Sequence, residues 1–67
     1  MTPKRLSRVI KELREDADLT QAQLATKAGV TEAYISMLEA GARKNPSLPV
    51  LKRLARALGV PVGELLA

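Results

Sequence analysis

Residues Thr20 to Gly41 read TQAQLATKAGVTEAYISMLEAG, and this stretch decides the fold. Thr20 and Gln23 stand at the S/T-x-x-E/Q spacing of a capping box, in which the two side chains satisfy each other's unpaired backbone donors. A helix therefore begins at Gln21 and runs to about Ala28. Gly29 stops it, because glycine enters the left-handed conformation that closes a helix without a Cβ clash. Thr31 has the chemistry to cap a second helix over about residues 32–40, which Gly41 closes. The stretch thus encodes two short helices joined by a tight glycine-containing turn.

The flanking sequence reads as support for this pair. Thr2 can cap a first helix, with Pro3 in the first helical position, where its missing N–H costs nothing. Leu6, Val9, Ile10 and Leu13 recur at i, i+3, i+4 and i+7, one apolar stripe that should fray near Ala17 and Asp18. In the second helix Leu24, Ala25 and Ala28 form the inner side, Ala25 being small enough for a close crossing. In the third, Val30, Ile35 and Leu38 point inward and Glu32, Ala33, Ser36 and Met37 outward. ARKNP, residues 42–46, is a polar loop. Ser47 can cap a fourth helix that tolerates Pro49 in its first turn and repeats Leu48, Leu51, Leu54, Ala55 and Leu58 until Gly59 ends it. A short last helix over about residues 61–66 carries Val62, Leu65 and Leu66. The expected fold is all-α: five helices around one core, in a single domain over residues 1–67.

The bulk composition narrows the function classes. A chain of 67 residues buries only about 60% of its unfolded surface, so stability is modest. It contains neither His nor Cys, which excludes disulfide staples, the usual zinc sites and His or Cys catalysis. No carboxylate pair or phosphate loop marks an enzyme, and no cofactor or metal is expected. Met1 leads directly into charged MTPKRLSRVIKE, with no apolar run long enough for a signal peptide or a membrane span; a cytoplasmic location is expected. The net charge of +4 points to a polyanion partner, although solubility alone explains such a balance equally well. Tyr34 is the one aromatic residue, which argues against single-strand base stacking and against an aromatic-lined small-molecule pocket.

Two short helices around a tight turn are the shape of a helix-turn-helix unit, whose second helix enters the DNA major groove. The chain resembles the Cro/C1-type, or XRE-type, helix-turn-helix family of bacterial and phage regulators, with a λ-repressor-like fold. The resemblance runs through Leu19-Thr20-Gln21, Leu24-Ala25, Ala28-Gly29-Val30, Tyr34-Ile35-Ser36 and Leu38-Glu39 with Gly41. It continues through Asn45-Pro46-Ser47-Leu48, Leu54-Ala55 and Ala57-Leu58-Gly59-Val60 to Leu65-Leu66. The Tyr-Ile-Ser and Asn-Pro-Ser-Leu pieces are similar to two subgroups, the restriction-modification controllers and the sporulation/biofilm-type repressors.

The resemblance implies a double-stranded DNA operator as partner and a DNA-facing set of Thr20, Gln21, Thr31, Glu32, Ala33, Tyr34, Ser36, Met37, Arg43 and Lys44. Gln21 corresponds to a family position that bonds a phosphate beside the free N–H groups of a helix start. Glu32, Ala33, Ser36 and Met37 occupy the base-reading face. They lack the Arg, Lys, Asn or Gln that bond purines bidentately. Glu32 can accept from cytosine N4 or simply favour the helix dipole; Ala33 and Met37 can pack on thymine methyls. Discrimination per half-site is therefore expected to be modest, with more weight on DNA shape. Tyr34 is expected to reach the DNA backbone from the helix edge, and Arg43 and Lys44 from the loop. Lys52, Arg53 and Arg56 read as a wet face.

Arg14 and Glu39 match positions that pair in some phage repressors, tying the first helix to the recognition helix. Val62, Leu65 and Leu66 are more apolar than a short terminal helix needs; they cover the core or join a second copy in a homodimer. The chain reads either as a minimal regulator or as the DNA-binding part of something longer. The leading function is a sequence-specific transcriptional regulator on a palindromic operator. The alternative is a protein-interaction module such as an antitoxin or a coactivator adaptor.

Overall fold

The computed structural model describes residues 3–42 and 46–66. Five helices follow in order: α1 (Pro3–Asp16), α2 (Gln21–Ala28), α3 (Glu32–Glu39), α4 (Leu48–Leu58) and α5 (Gly63–Leu66), with no strand among the described residues. The expected all-α architecture is observed. Thr2, expected to cap α1, lies outside the described residues, as do Arg43, Lys44 and Asn45 of the loop before α4.

The helix boundaries follow from local chemistry. At α2 both halves of the capping box are formed: the Gln23 N–H donates to Thr20 Oγ1 at 3.0 Å, and the Thr20 N–H donates to Gln23 Oε1 at 2.8 Å. Thr31 Oγ1 accepts from the Tyr34 N–H at 3.1 Å, and Ser47 Oγ from the Val50 N–H at 3.4 Å. Gly29 sits at φ 71° and closes α2 with paired bonds, from its own N–H to the Thr26 carbonyl and from Val30 to the Ala25 carbonyl. Those are the two bonds of a Schellman motif, which satisfies carbonyls left open at a helix end.

The end of α1 uses the same motif with a different residue. Asp18 has φ 57°, its N–H donates to the Glu15 carbonyl, and the Leu19 N–H donates to the Arg14 carbonyl. Asp tolerates the left-handed region better than most residues because its short polar side chain bonds locally. The sequence places the end of α1 correctly but does not reveal its left-handed residue, since no glycine marks it.

The core is assembled from every helix: Leu6 and Ile10 of α1, Leu24, Ala25 and Ala28 of α2, Ile35 and Leu38 of α3, Leu51, Leu54, Ala55 and Leu58 of α4, and Leu65 of α5. α2 packs on both α3 and α4, while α1 packs on α3 and α5. The inner faces expected for α1, α2 and α3 are the observed ones, with Val9, Leu13 and Val30 half-buried around them. Leu48 departs from the expected apolar repeat: it is 48% exposed. It occupies the first position of α4, and a helical side chain leans toward the N-terminus, so Leu48 projects past the helix end and misses the core.

α5 is shorter than expected, starting at Gly63. Its opening turn is held by the Pro61 and Val62 carbonyls, which accept from the N–H groups of Glu64 and Leu65. The three terminal apolar residues also separate. Leu65 is fully buried, Val62 is half-buried against the core, and Leu66 remains 42% exposed.

Candidate nucleic-acid interface

Between Thr31 and Ala40 the apolar Ile35 and Leu38 stand three residues apart, and residues 32, 33, 36 and 37 fall on the opposite side, so α3 has two unlike faces. Ile35 and Leu38 anchor the inner one in the core. Glu32, Ala33, Ser36 and Met37 are all exposed on the other side, and no other described helix covers them. Met37, at 42% exposure, presents a flexible thioether to solvent without an evident packing role. Thr31 is exposed while its hydroxyl caps α3, and Tyr34 is half-buried at the edge of the core. The expected reading face is therefore brought together on one exposed surface, whereas Arg43 and Lys44 lie outside the described residues.

The placement of that face depends on a polar joint behind it. Arg14 and Glu39 pair as a fork: Nε donates to Oε2 at 2.6 Å and Nη2 to Oε1 at 3.0 Å. Their side chains are 12% and 5% exposed, so the pair is screened little by solvent. Arg14 Nη1 also donates to the Leu19 carbonyl at 2.7 Å, and Gln21 Nε2 donates to Glu39 Oε1 at 3.1 Å. One carboxylate at the end of α3 thus gathers the end of α1 and the first residue of α2, while Arg14 also holds the turn between those helices. The Arg14–Glu39 tie is the one the family resemblance implies. The Gln21–Glu39 bond was not legible in the sequence, because nothing in the spacing of residues 21 and 39 signals that the two helix ends meet.

The hydrogen bond to Glu39 raises the Arg14 pKa above its ordinary value; desolvation opposes this, and the charges of Glu39 and Glu15 add to the rise. A raised pKa in the folded state means that the contribution to stability is complete below the unfolded value and lost only as pH climbs through the folded one. For Arg14 that window lies in strong alkali, so its charge is constant across the neutral range.

Around α2 the charges are arranged by sign. Glu15, Asp16 and Asp18 are exposed just ahead of it, and Lys27 lies in its last turn, each favourable to the helix dipole. Arg53 of α4 approaches the turn between α2 and α3: its Nη1 lies 3.7 Å from where a Cβ on Gly29 would stand. Lys52, Arg53 and Arg56 are exposed, as expected for a wet face. No group of three acidic residues that could hold a metal occurs among the described residues. No helix among them is long and apolar enough to cross a membrane.

The helix-turn-helix family model matches residues 10–65. The immunity repressor of Bacillus phage phi105 is 43% identical over 84% of this chain and 38% of its own length. The chain spans 38% to 51% of the full length of such regulators from Bacillus and its phage. Among solved structures, the restriction-modification controller C.AhdI from Aeromonas hydrophila superposes with a TM-score of 0.89 at 33% identity, covering 94% of both chains. SinR, described as the master regulator for biofilm formation and solved in complex with DNA, superposes with a TM-score of 0.88 at 34% identity, covering 92% of this chain and 98% of that one. Both subgroups marked by the Tyr-Ile-Ser and Asn-Pro-Ser-Leu pieces are thus represented among its structural relatives. With a five-helix fold, an exposed α3 face and these relatives, the chain belongs to the Cro/C1-type (XRE-type) helix-turn-helix family.

Proposed function

We propose that this chain is the operator-binding unit of a transcriptional repressor, acting in the cytoplasm by binding double-stranded DNA and catalysing no reaction. The observation that carries this reading is the α3 surface, on which Glu32, Ala33, Ser36 and Met37 are exposed together while Ile35 and Leu38 lock the same helix into the core. In the proposed complex α3 lies in the major groove. Its four outward residues meet base edges, and Thr20, Gln21, Thr31, Tyr34, Arg43 and Lys44 meet phosphates around them. SinR, a relative over nearly its whole solved length, is seen on DNA, which supports the same use of the fold here.

The proposed operator is palindromic and the binding species a homodimer. Half-sites read by this motif lie roughly 34 Å apart. One copy carries a single α3, so two half-sites need two copies. Exposed Leu66 and half-buried Val62 are the terminal residues proposed for the contact, since Leu65 is taken up by the core.

Fluorescence anisotropy tests the reading, with titration into a duplex carrying the DNA upstream of the protein's own gene and into a scrambled duplex, each at two salt concentrations. Preference for the upstream duplex that survives the higher salt supports an operator-specific regulator. Equal binding that collapses with salt reduces the site to a basic surface. No binding at either salt overturns the proposal.

A further inference from the structure

We infer that Glu39 is a positioning residue for DNA binding: by holding the Gln21 amide, it sets the phosphate contact of α2 and the seat of α3 through a single carboxylate. This rests on the DNA-binding reading above and assigns a role to a residue outside the DNA-facing set. The geometry separates it from a plain structural tie. The Arg14 fork already occupies both Glu39 oxygens, Oε2 through Nε and Oε1 through Nη2. The Glu39 charge is therefore met by Arg14 alone, and the lone pairs that remain can take a further donor. The bond from Gln21 Nε2 to Oε1, at 3.1 Å, has its main consequence on the Gln21 side.

That consequence is orientation. A free glutamine samples many rotamers and both orientations of its amide. A carboxylate only accepts, so it selects the nitrogen end of the amide. One amide hydrogen is then committed to Glu39, and the second remains for another acceptor. Gln21 is the first residue of α2, where the N–H groups of Gln21 and Ala22 have no intrahelical partner; those of Gln23 and Leu24 go to Thr20. A phosphate at that helix start would meet two backbone donors and one side-chain donor already turned from solvent motion into a fixed place. Glu39 ends α3, so the same carboxylate also determines how far the base-reading face stands from that phosphate.

A thermodynamic cycle tests the inference. Four proteins are compared: wild type, Gln21→Ala, the double variant Arg14→Met/Glu39→Met, and the triple variant. The double variant removes the carboxylate without leaving an unpaired buried cation. Each is titrated by anisotropy into the duplex from upstream of the protein's own gene, at several salt concentrations, with a melting curve to establish that it is folded. The expected result is that Gln21→Ala weakens wild-type binding about tenfold while leaving the log-log salt slope unchanged, because a neutral amide releases no counterion. In the folded double-variant background the same substitution should cost less than about twofold, because Gln21 is no longer held. An equal cost in both backgrounds overturns the inference and leaves Glu39 a structural tie only. No cost of Gln21→Ala in the wild type overturns it as well. A wild type that binds no duplex overturns the DNA reading itself, a distinguishable result. Should the double variant not fold, the side-chain 15NH2 resonances of Gln21 in the DNA-free wild type decide the matter. A relaxation order parameter for that amide above the flexible range, about 0.6, is expected; one below it overturns the inference.

Discussion

Replacing Glu39 by Met should be among the most damaging single changes this domain can undergo. It leaves the Arg14 guanidinium, whose side chain is 12% exposed, with its bond to the Leu19 carbonyl but without its counter-charge. Removing one partner of a buried pair costs about 3–5 kcal/mol, most of it from the charge left behind. The surviving carbonyl bond and the remaining exposure place the cost at the low end, about 3 kcal/mol. A domain of this length holds about 3–10 kcal/mol in total, so the variant loses between about a third and all of its stability. At about 4–8 °C per kcal/mol, the melting temperature should fall by about 12 °C or more. The double variant Arg14→Met/Glu39→Met should lie within about 1.5 kcal/mol of wild type, because apolar side chains of similar volume replace the pair and no charge is stranded. Urea denaturation followed by far-UV circular dichroism measures the free energies, and a thermal melt the midpoint. If Glu39→Met costs less than about 1 kcal/mol, or if the double variant is as damaged as the single one, the stranded-charge argument is wrong.

Other outcomes follow from the same geometry. Gly29→Ala should destabilise by about 1 kcal/mol through backbone strain alone, since φ is 71° and the nearest atom to the new Cβ is a flexible arginine tip at 3.7 Å; Asp18→Gly, relieving a left-handed aspartate, should gain about 0.5 kcal/mol, and thermal melts compare the two. Leu65→Ala should cost about 2–5 kcal/mol, whereas Leu66→Ala should leave the monomer's melting midpoint nearly unchanged. Sedimentation of the Leu66 variant reads its part in a dimer: an unaltered monomer–dimer balance would remove that residue from the interface. Glu32→Ala and Met37→Ala, both at exposed positions, should keep the melting temperature while shifting preference among operator variants by about 1 kcal/mol, the low end of a base contact, for each base the truncated side chain no longer reaches; unchanged preference in a competition assay would take both out of the readout.

Gln21, Asp18 and Leu48 mark the boundary between what local sequence encodes and what the assembled fold decides. The limits of α2, α3 and α4 were legible because capping is short-range: Thr20 with Gln23, Thr31, Ser47 and the three closing glycines act on donors and carbonyls within a turn of themselves. The inner faces of α1, α2 and α3 were legible because the helical period alone separates the residues that face the core from those that do not. The Arg14–Glu39 tie came from the family resemblance, and the four outward residues of α3 from what its inner face left over.

The remainder required the packed molecule. Asp18 in a left-handed turn carries no glycine to announce it; the turn is imposed by the need to swing from α1 into α2, and Arg14 supports it by holding the Leu19 carbonyl. Leu48 follows the apolar spacing of α4 yet stays exposed, because periodicity says which side of a helix a residue lies on and not whether the neighbouring element extends that far. Leu65 and Leu66 are chemically identical neighbours, and only the packing of α5 on α1 and α4 buries the first and leaves the second in solvent. The bond between Gln21 and Glu39 joins residues 18 apart in the chain, on two helices whose ends meet only once α1, α2 and α3 are packed. Helices, caps and family membership can be read from the chain because they are properties of neighbouring residues. The convergence of Arg14, Gln21 and Glu39 behind the recognition helix is of another kind: it depends on how helices cross, and that is settled by the core they share.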